Sequence, residues 1–259
     1  MGRAAPQEAF EGAAGFRKMV VGVRENADVH LGEAKRAKGA WQARKLDLFG
    51  RAARAIVPRF MDRNAFFMEL ARGANPLAFK PEHEPRVDRL RRRLGNLEGK
   101  RVFEPGCGAG PLTARLAHWV GRSGRVLALD SCLEMAKLCA ESVGGYGNVE
   151  IEVGKAEDAG LETAAWDLIL CFRFYPHLEK PREFLGKCGK WLAPGGELVV
   201  ANLEGSAALN EMHSRLRGVH GDEMPTAGKL RGMMEAAGWK VEEAIDEPDE
   251  YFLRARPDR

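Results

Sequence analysis

Two hydrophobic rhythms divide the chain from about residue 86 onward. Short apolar stretches at 102–103, 125–129, 149–153, 166–171 and 197–201 read as strands. Between them apolar positions recur every three or four residues. Val87, Leu90 and Leu94 predict a helix over 86–97, and Leu112, Leu116 and Trp119 predict another after Gly110. Further helices are expected at 135–140, 181–192, 210–219 and 230–237, the last closed by Gly238. Residues 193–196 (APGG) predict a turn before the fifth strand. The stretch 166–171 is apolar throughout, as suits the buried centre of a parallel sheet. Residues 239–245 and 251–255 alternate and predict two antiparallel strands joined by 246–250.

The first part of the chain is different. Residues 1–40 show no sustained period, and 41–60 carry one helical face (Trp41, Lys45, Leu48, Ala52, Ala55, Ile56) that ends at Pro58. The division expected is a basic N-terminal extension over 1–60, partly disordered or helical, and one α/β domain over 61–259. The domain begins with a short helix at 62–70, capped by Asp62.

The stretch that carries chemistry is RVFEPGCGAGPLTARL at 101–116. Gly106, Gly108 and Gly110 alternate between a strand and a helix, so the backbone can take positive φ and a ligand can lie against it. Pro111 suits the first helical turn, where amide N–H groups and the helix dipole favour a polar ligand. Cys107 offers its backbone N–H. Asp130, twenty positions after Gly110 at the end of the second strand, is placed to accept from ribose hydroxyls, and Ser131 follows it. A dinucleotide fingerprint would need glycine at 111, and Glu104 would repel a pyrophosphate. That carboxylate suits a cationic, amino-acid-bearing nucleoside.

The segments EPGCGAG (104–110), ALD (128–130), WDLILCFRFYPHLEKP (166–181) and WLAPGGELVVAN (191–202) resemble, in order and spacing, class I S-adenosylmethionine-dependent methyltransferases. The likeness is especially to the broad group that includes ubiquinone/menaquinone-biosynthesis C-methyltransferases. It implies a Rossmann-like, doubly wound α/β sheet of seven strands, mostly parallel with an antiparallel C-terminal hairpin, plus a helical N-terminal extension. It also implies S-adenosylmethionine as cofactor, with Glu104 near the methionine ammonium, Gly106, Cys107, Gly108 and Gly110 beneath the cofactor, and Asp130 and Ser131 at the ribose. Ala156 would offer its backbone N–H to adenine. Related enzymes commonly have Asp where Lys155 stands, so adenine recognition passes to Glu157 or Asp158, or lapses. Phe172 opens the loop beside the methyl group, and Phe66, Phe67, Asn75, Phe79 and His83 are candidates to line the acceptor pocket.

Composition narrows the partners. Hydrophobic content of 45% with 30% charged residues is that of a globular protein, and no apolar run is long enough to span a bilayer. Five cysteines without a CxxC pair suit reduced thiols, and a cytoplasmic location is expected. Residues 1–101 carry 22 Lys+Arg against 12 Asp+Glu, while the remainder carry 18 against 25. The basic part could bind nucleic acid, but solvated helix faces explain it as well. The loop CFRFYPH lacks the Asp/Asn-Pro-Pro-Tyr/Phe run of enzymes that methylate base amino groups.

The expected function is therefore transfer of a methyl group to a small-molecule acceptor by in-line displacement. His177 and Tyr175, at the end of the fourth strand, are the candidate acid/base residues. No metal site is expected, since His213 and His220 lack a third ligand at suitable spacing. An RNA methyltransferase using the basic N-terminal region, a nucleotide-dependent oxidoreductase and a non-catalytic S-adenosylmethionine-binding protein are the alternatives. Oligomeric state is not legible.

Overall fold

The computed structural model describes residues 63–73 and 77–258. The expected extension over 1–60, the Asp62 cap and Asn75 lie outside the described residues. Seven strands, β1 (Arg101–Pro105), β2 (Arg125–Asp130), β3 (Val149–Val153), β4 (Trp166–Phe172), β5 (Leu192–Asn202), β6 (Trp239–Glu247) and β7 (Glu250–Pro257), form one sheet in the order β3-β2-β1-β4-β5-β7-β6. β1 to β5 pair in parallel, and β7 joins antiparallel to both β5 and β6. This is the expected doubly wound sheet with its C-terminal hairpin.

Strand period explains how the sheet is covered. Along β4, Leu168, Leu170 and Phe172 face one layer and Ile169 and Cys171 the other. The first layer holds Val87, Leu90 and Leu94 of α2 (Glu84–Leu94) and Leu112 and Leu116 of α3 (Pro111–Trp119). The second holds Phe184, Leu185, Cys188 and Trp191 of α5 (Pro181–Trp191), with Leu230 and Met234 of α7 (Ala227–Glu235). Cys139 of α4 (Leu133–Ser142) packs with Ala128 of β2 and with Cys107. Two more helices, α1 (Arg63–Leu70) and α6 (Ser206–Arg215), complete the set.

Several boundaries differ from the sequence expectation, and three of the differences have a visible cause. Residues 193–196 do not separate α5 from β5. They form a bulge inside the strand, because Leu192 pairs with Trp166 and Glu197 with Leu168. Gly195 sits at φ +79°, and a Cβ on Gly196 would stand 2.7 Å from the Trp166 carbonyl oxygen, so glycine lets the bulge fold in. The predicted 246–250 connection shrinks, since β6 runs to Glu247 and β7 starts at Glu250. Asp246 is thus a strand residue, and its carboxylate accepts from Ser206 N (2.8 Å), Ser206 Oγ (2.7 Å) and Ala227 N (3.1 Å), tying the starts of α6 and α7 to the sheet. With that anchor, α6 begins four residues earlier than the periodicity places it.

The basic back of α2 is also accounted for. Arg93 pairs with Glu243 and, at 2.5 Å, with Glu250, and Arg89 pairs with Asp249 at 2.8 Å. Arg91 lies over the Trp119 ring at 5.3 Å. These contacts tie α2 to the hairpin and to α3, and Arg92 of the same run stays exposed.

Candidate active site

Strand order reverses between β1 and β4, and in open α/β sheets the crevice beyond the strand ends at that point takes ligands. Here it is a cavity of about 1140 Å³. Its floor comes from the residues that follow β1 (Gly106, Cys107, Gly108), β2 (Ser131), β3 (Gly154, Lys155, Ala156) and β4 (Arg173, Phe174). Walls of Phe66, Phe67, Leu209 and Leu216 come from α1, α6 and the turn after α6, and Phe79 and His83 also line it.

The glycine turn is built as expected in backbone and differently in detail. Gly106, Gly108 and Gly110 have φ of +72°, +55° and +83°. A Cβ on Gly106 would fall 2.2 Å from the Phe174 ring, and one on Gly108 2.8 Å from Leu77, so residues of the chain itself roof the turn. Gly110 does not line the cavity. It starts α3, and a Cβ there would meet Cys139 Sγ at 2.8 Å and Cα at 3.0 Å. The Cys107 N–H, expected to face a ligand, instead donates to Leu129 O at 3.1 Å, as does Gly106 N at 2.7 Å, because the turn continues the β1–β2 pairing. The Cys107 thiol is pushed up by its contact with Cys139 and by burial, which makes it a poor nucleophile.

Two carboxyl groups line this end of the cavity. Asp130 accepts from Gly108 N (2.9 Å, Oδ2) and Cys132 N (2.8 Å, Oδ1), so its oxygens are fixed and each keeps lone-pair capacity. Burial raises its pKa, against the two amide hydrogen bonds that lower it. Glu104 is 2% exposed and is pushed up to about 8 by burial, although Thr113 Oγ donates to its Oε2 at 2.7 Å.

Phe172, Ser131, Ala156 and Glu157 also line the cavity. Glu157 is engaged: its Oε1 accepts from Glu179 N at 2.7 Å and Lys180 N at 3.3 Å. Lys155 pairs with Glu179 at 2.9 Å. An acid thus stands next to the position where the lysine departs from the family pattern, supplied by residue 179.

The loop after β4 separates the two candidate acid/base residues. Tyr175, Pro176 and His177 form one turn of 3-10 helix. Tyr175 points into the core against Cys171 and Cys188; it is 4% exposed, does not line the cavity, and burial raises its pKa. Its hydroxyl has no hydrogen-bond partner among the described residues. His177 does line the cavity, and its Nδ1 lies 2.7 Å from Asp222 Oδ2. Asp222 Oδ1 accepts from Arg63 at 2.6 Å, and Arg63 also donates to His177 O at 2.8 Å. Burial pushes the Asp222 carboxyl up, but the hydrogen bonds from His177 and Arg63 outweigh it and hold it low. His213 adds a second imidazole, its ring 5.3 Å from that of His177 and its Nδ1 2.7 Å from Asp222 O. Burial lowers the His213 pKa.

Sequence alone does not single out Asp222, Arg63 and His213 as partners of His177. Among the described residues there is no cluster of three or more metal-ligating side chains, and no helix is long and apolar enough to cross a membrane.

Comparison with known proteins places this geometry. A protein-family profile described as a methyltransferase domain matches residues 103–200. The chain is 30% identical over 159 residues to the ubiquinone biosynthesis O-methyltransferase of Cronobacter sakazakii, an alignment that covers 59% of each chain. It therefore spans less than two thirds of that relative's length. A solved S-adenosylmethionine-dependent methyltransferase from Aquifex aeolicus superposes with a TM-score of 0.59 at 21% identity, over 75% of this chain and 98% of the other. The N-methyltransferase NodS of Bradyrhizobium japonicum, solved with S-adenosylhomocysteine, gives 0.60 at 17% identity, over 77% and 100%. Residues 103–200 thus match a methyltransferase-domain profile, and the fold is the one seen in the solved S-adenosylmethionine-dependent methyltransferases.

Proposed function

We propose that the protein is an S-adenosylmethionine-dependent methyltransferase acting on a small-molecule acceptor, with His177 as its base. The carrying observation is one cavity that holds Glu104 and Asp130 beside the glycine turn and also His177, which Asp222 holds by hydrogen bond.

The residues fit the cofactor. Glu104, buried and with no cation paired to it among the described residues, suits the methionine ammonium; Asp130, its oxygens set by two amides, suits the ribose hydroxyls; Ala156 and Glu179 flank the position for adenine. Bound S-adenosylmethionine supplies a methyl group on a sulfonium, and as the acceptor's lone pair bonds to that carbon the C–S bond breaks with its electron pair left on sulfur. The chain's task is then alignment and exclusion of water, worth ~7–11 kcal/mol for well-oriented reactants. Phe66, Phe67, Leu209 and Leu216 provide the dry wall.

His177 takes the proton that an O–H or N–H acceptor loses. Asp222 orients the imidazole through Nδ1, leaving Nε2 for that proton, and Arg63 fixes Asp222. Calorimetric titration with S-adenosylmethionine, S-adenosylhomocysteine and NADH tests the assignment: micromolar binding of the first two, with none of the third, is expected. Binding of NADH alone refutes it.

A further inference from the structure

The cavity wall formed by the ends of β4 and β5 carries features that neither cofactor binding nor the His177 pair uses. Arg173 follows β4 directly, and its N–H donates to Ala201 O at 2.9 Å. It is held at φ +52°, a left-handed conformation unfavourable for a non-glycine residue. Such strain persists where the surroundings enforce it, often at ligand sites. The guanidinium is largely buried and lies 5.7 Å over the Phe172 ring.

Its ion pairing is incomplete. Glu204 is its partner, with both carboxylate oxygens 3.4 Å away, well beyond the ~2.7–2.9 Å of a strong charge-assisted bond. Glu204 is also shared with Arg86, whose guanidinium lies 3.2 Å from Oε1. Arg173 thus lines the cavity with no ion-pair contact shorter than 3.4 Å among the described residues, while Arg86 holds Glu204 more closely. Burial lowers the Arg173 pKa. The other charged pair at this side of the cavity, Arg63 with Asp222, is balanced internally.

We infer that the methyl acceptor is a hydroxy- or amino-carboxylic acid, its carboxylate bound by Arg173. The planar guanidinium presents paired donors that a carboxylate accepts. The apolar walls of Phe66, Phe67 and Leu209 then take the body of the molecule. The inference rests on the methyltransferase reading, because it assigns the second substrate of that reaction.

Transfer of labelled methyl from S-adenosylmethionine is measured on matched pairs, hydroxybenzoates and aminobenzoates against their primary amides, with S-adenosylhomocysteine affinity measured in parallel. The acids are expected to react at least tenfold better in kcat/KM than the amides. Arg173→Gln should abolish that preference with a loss of roughly 30-fold or more on the acids, and Arg173→Lys should retain part of it. S-adenosylhomocysteine affinity should stay within about twofold in both variants. Equal use of acids and amides, a preference that survives Arg173→Gln, or no reaction with any acid overturns the inference while normal S-adenosylhomocysteine binding leaves the methyltransferase reading standing. Failure to bind S-adenosylhomocysteine overturns both.

Discussion

Glu104→Gln should make the protein more stable and its cofactor binding weaker. Burial raises the Glu104 pKa from 4.5 to about 8, so the native state prefers the protonated carboxyl. The sign follows from linkage: relative to the unfolded chain, stability from this group is fully present below pH 4.5 and is lost as pH rises through 8. A tenfold difference in proton affinity between the native and unfolded states is worth about 1.36 kcal/mol, so by pH 7 the native state carries roughly 3 kcal/mol of penalty, and more at pH 8. With the group 2% exposed, solvent screening does little to reduce this. Glutamine mimics the protonated form and escapes the penalty. Denaturant unfolding at pH 5, 7 and 8 should show the two proteins close at pH 5 and diverging by about 3 kcal/mol at pH 7. Cofactor affinity in the wild-type protein should rise with pH over the same window, because ionised Glu104 is the form that meets the ammonium, and binding should release a proton detectable in buffers of different ionisation enthalpy. A stability difference that does not grow between pH 5 and 8 would refute the reasoning.

Four further outcomes are expected. Asp222→Asn should lower turnover by about 10–100-fold and flatten its pH profile with S-adenosylhomocysteine affinity unchanged, as followed by methyl transfer; the same carboxyl, held below its usual 3.8, stabilises the fold above that pH and ceases to as pH falls through its lowered value. Asp246→Ala should cost about 2–3 kcal/mol in denaturant unfolding, since three hydrogen bonds at two helix starts go together. Gly110→Ala should cost about 2 kcal/mol by the same measurement, from the positive φ and the collision with Cys139. Tyr175→Phe should leave turnover unchanged and raise stability by about 1 kcal/mol, because it removes a buried hydroxyl without a partner among the described residues; a fall in turnover would return Tyr175 to the active site.

Much of the architecture is legible because it is locally encoded. The apolar run of β4, the glycines ahead of Pro111 and the acid at the end of β2 are each readable within a few residues, and together they imply the sheet and the face that binds. The features that sequence does not reveal depend on distant partners. Asp222 reads as an ordinary loop acid until Arg63, 159 positions away, and His177, 45 away, are brought to it. Asp246 sits in what looks like a turn but pairs with Tyr251 across the hairpin, which places its carboxylate at two helix starts. Gly106 does require a missing side chain, but the group that needs the space is the Phe174 ring. Tyr175 and His177 look equivalent from position alone. On a turn with about three residues per revolution, positions two apart point in different directions, and only His177 reaches the cavity.

The two ends of the cavity carry different charged groups. Glu104 and Asp130 place two carboxyl groups at the end beside the glycine turn, whereas the β4–β5 wall presents Arg173, which Glu204 meets only at 3.4 Å. On the proposed reading a sulfonium-bearing amino acid sits at the first end and the acceptor's carboxylate at the second. Binding of either substrate should then favour the other, because opposite charges in a buried site attract more strongly than in water. The coupling is measurable as a lower acid dissociation constant in the presence of S-adenosylmethionine than of its uncharged-sulfur product, S-adenosylhomocysteine. Equal constants would mean that the acceptor's charge is too far from the sulfur to feel it, and would refute the coupling.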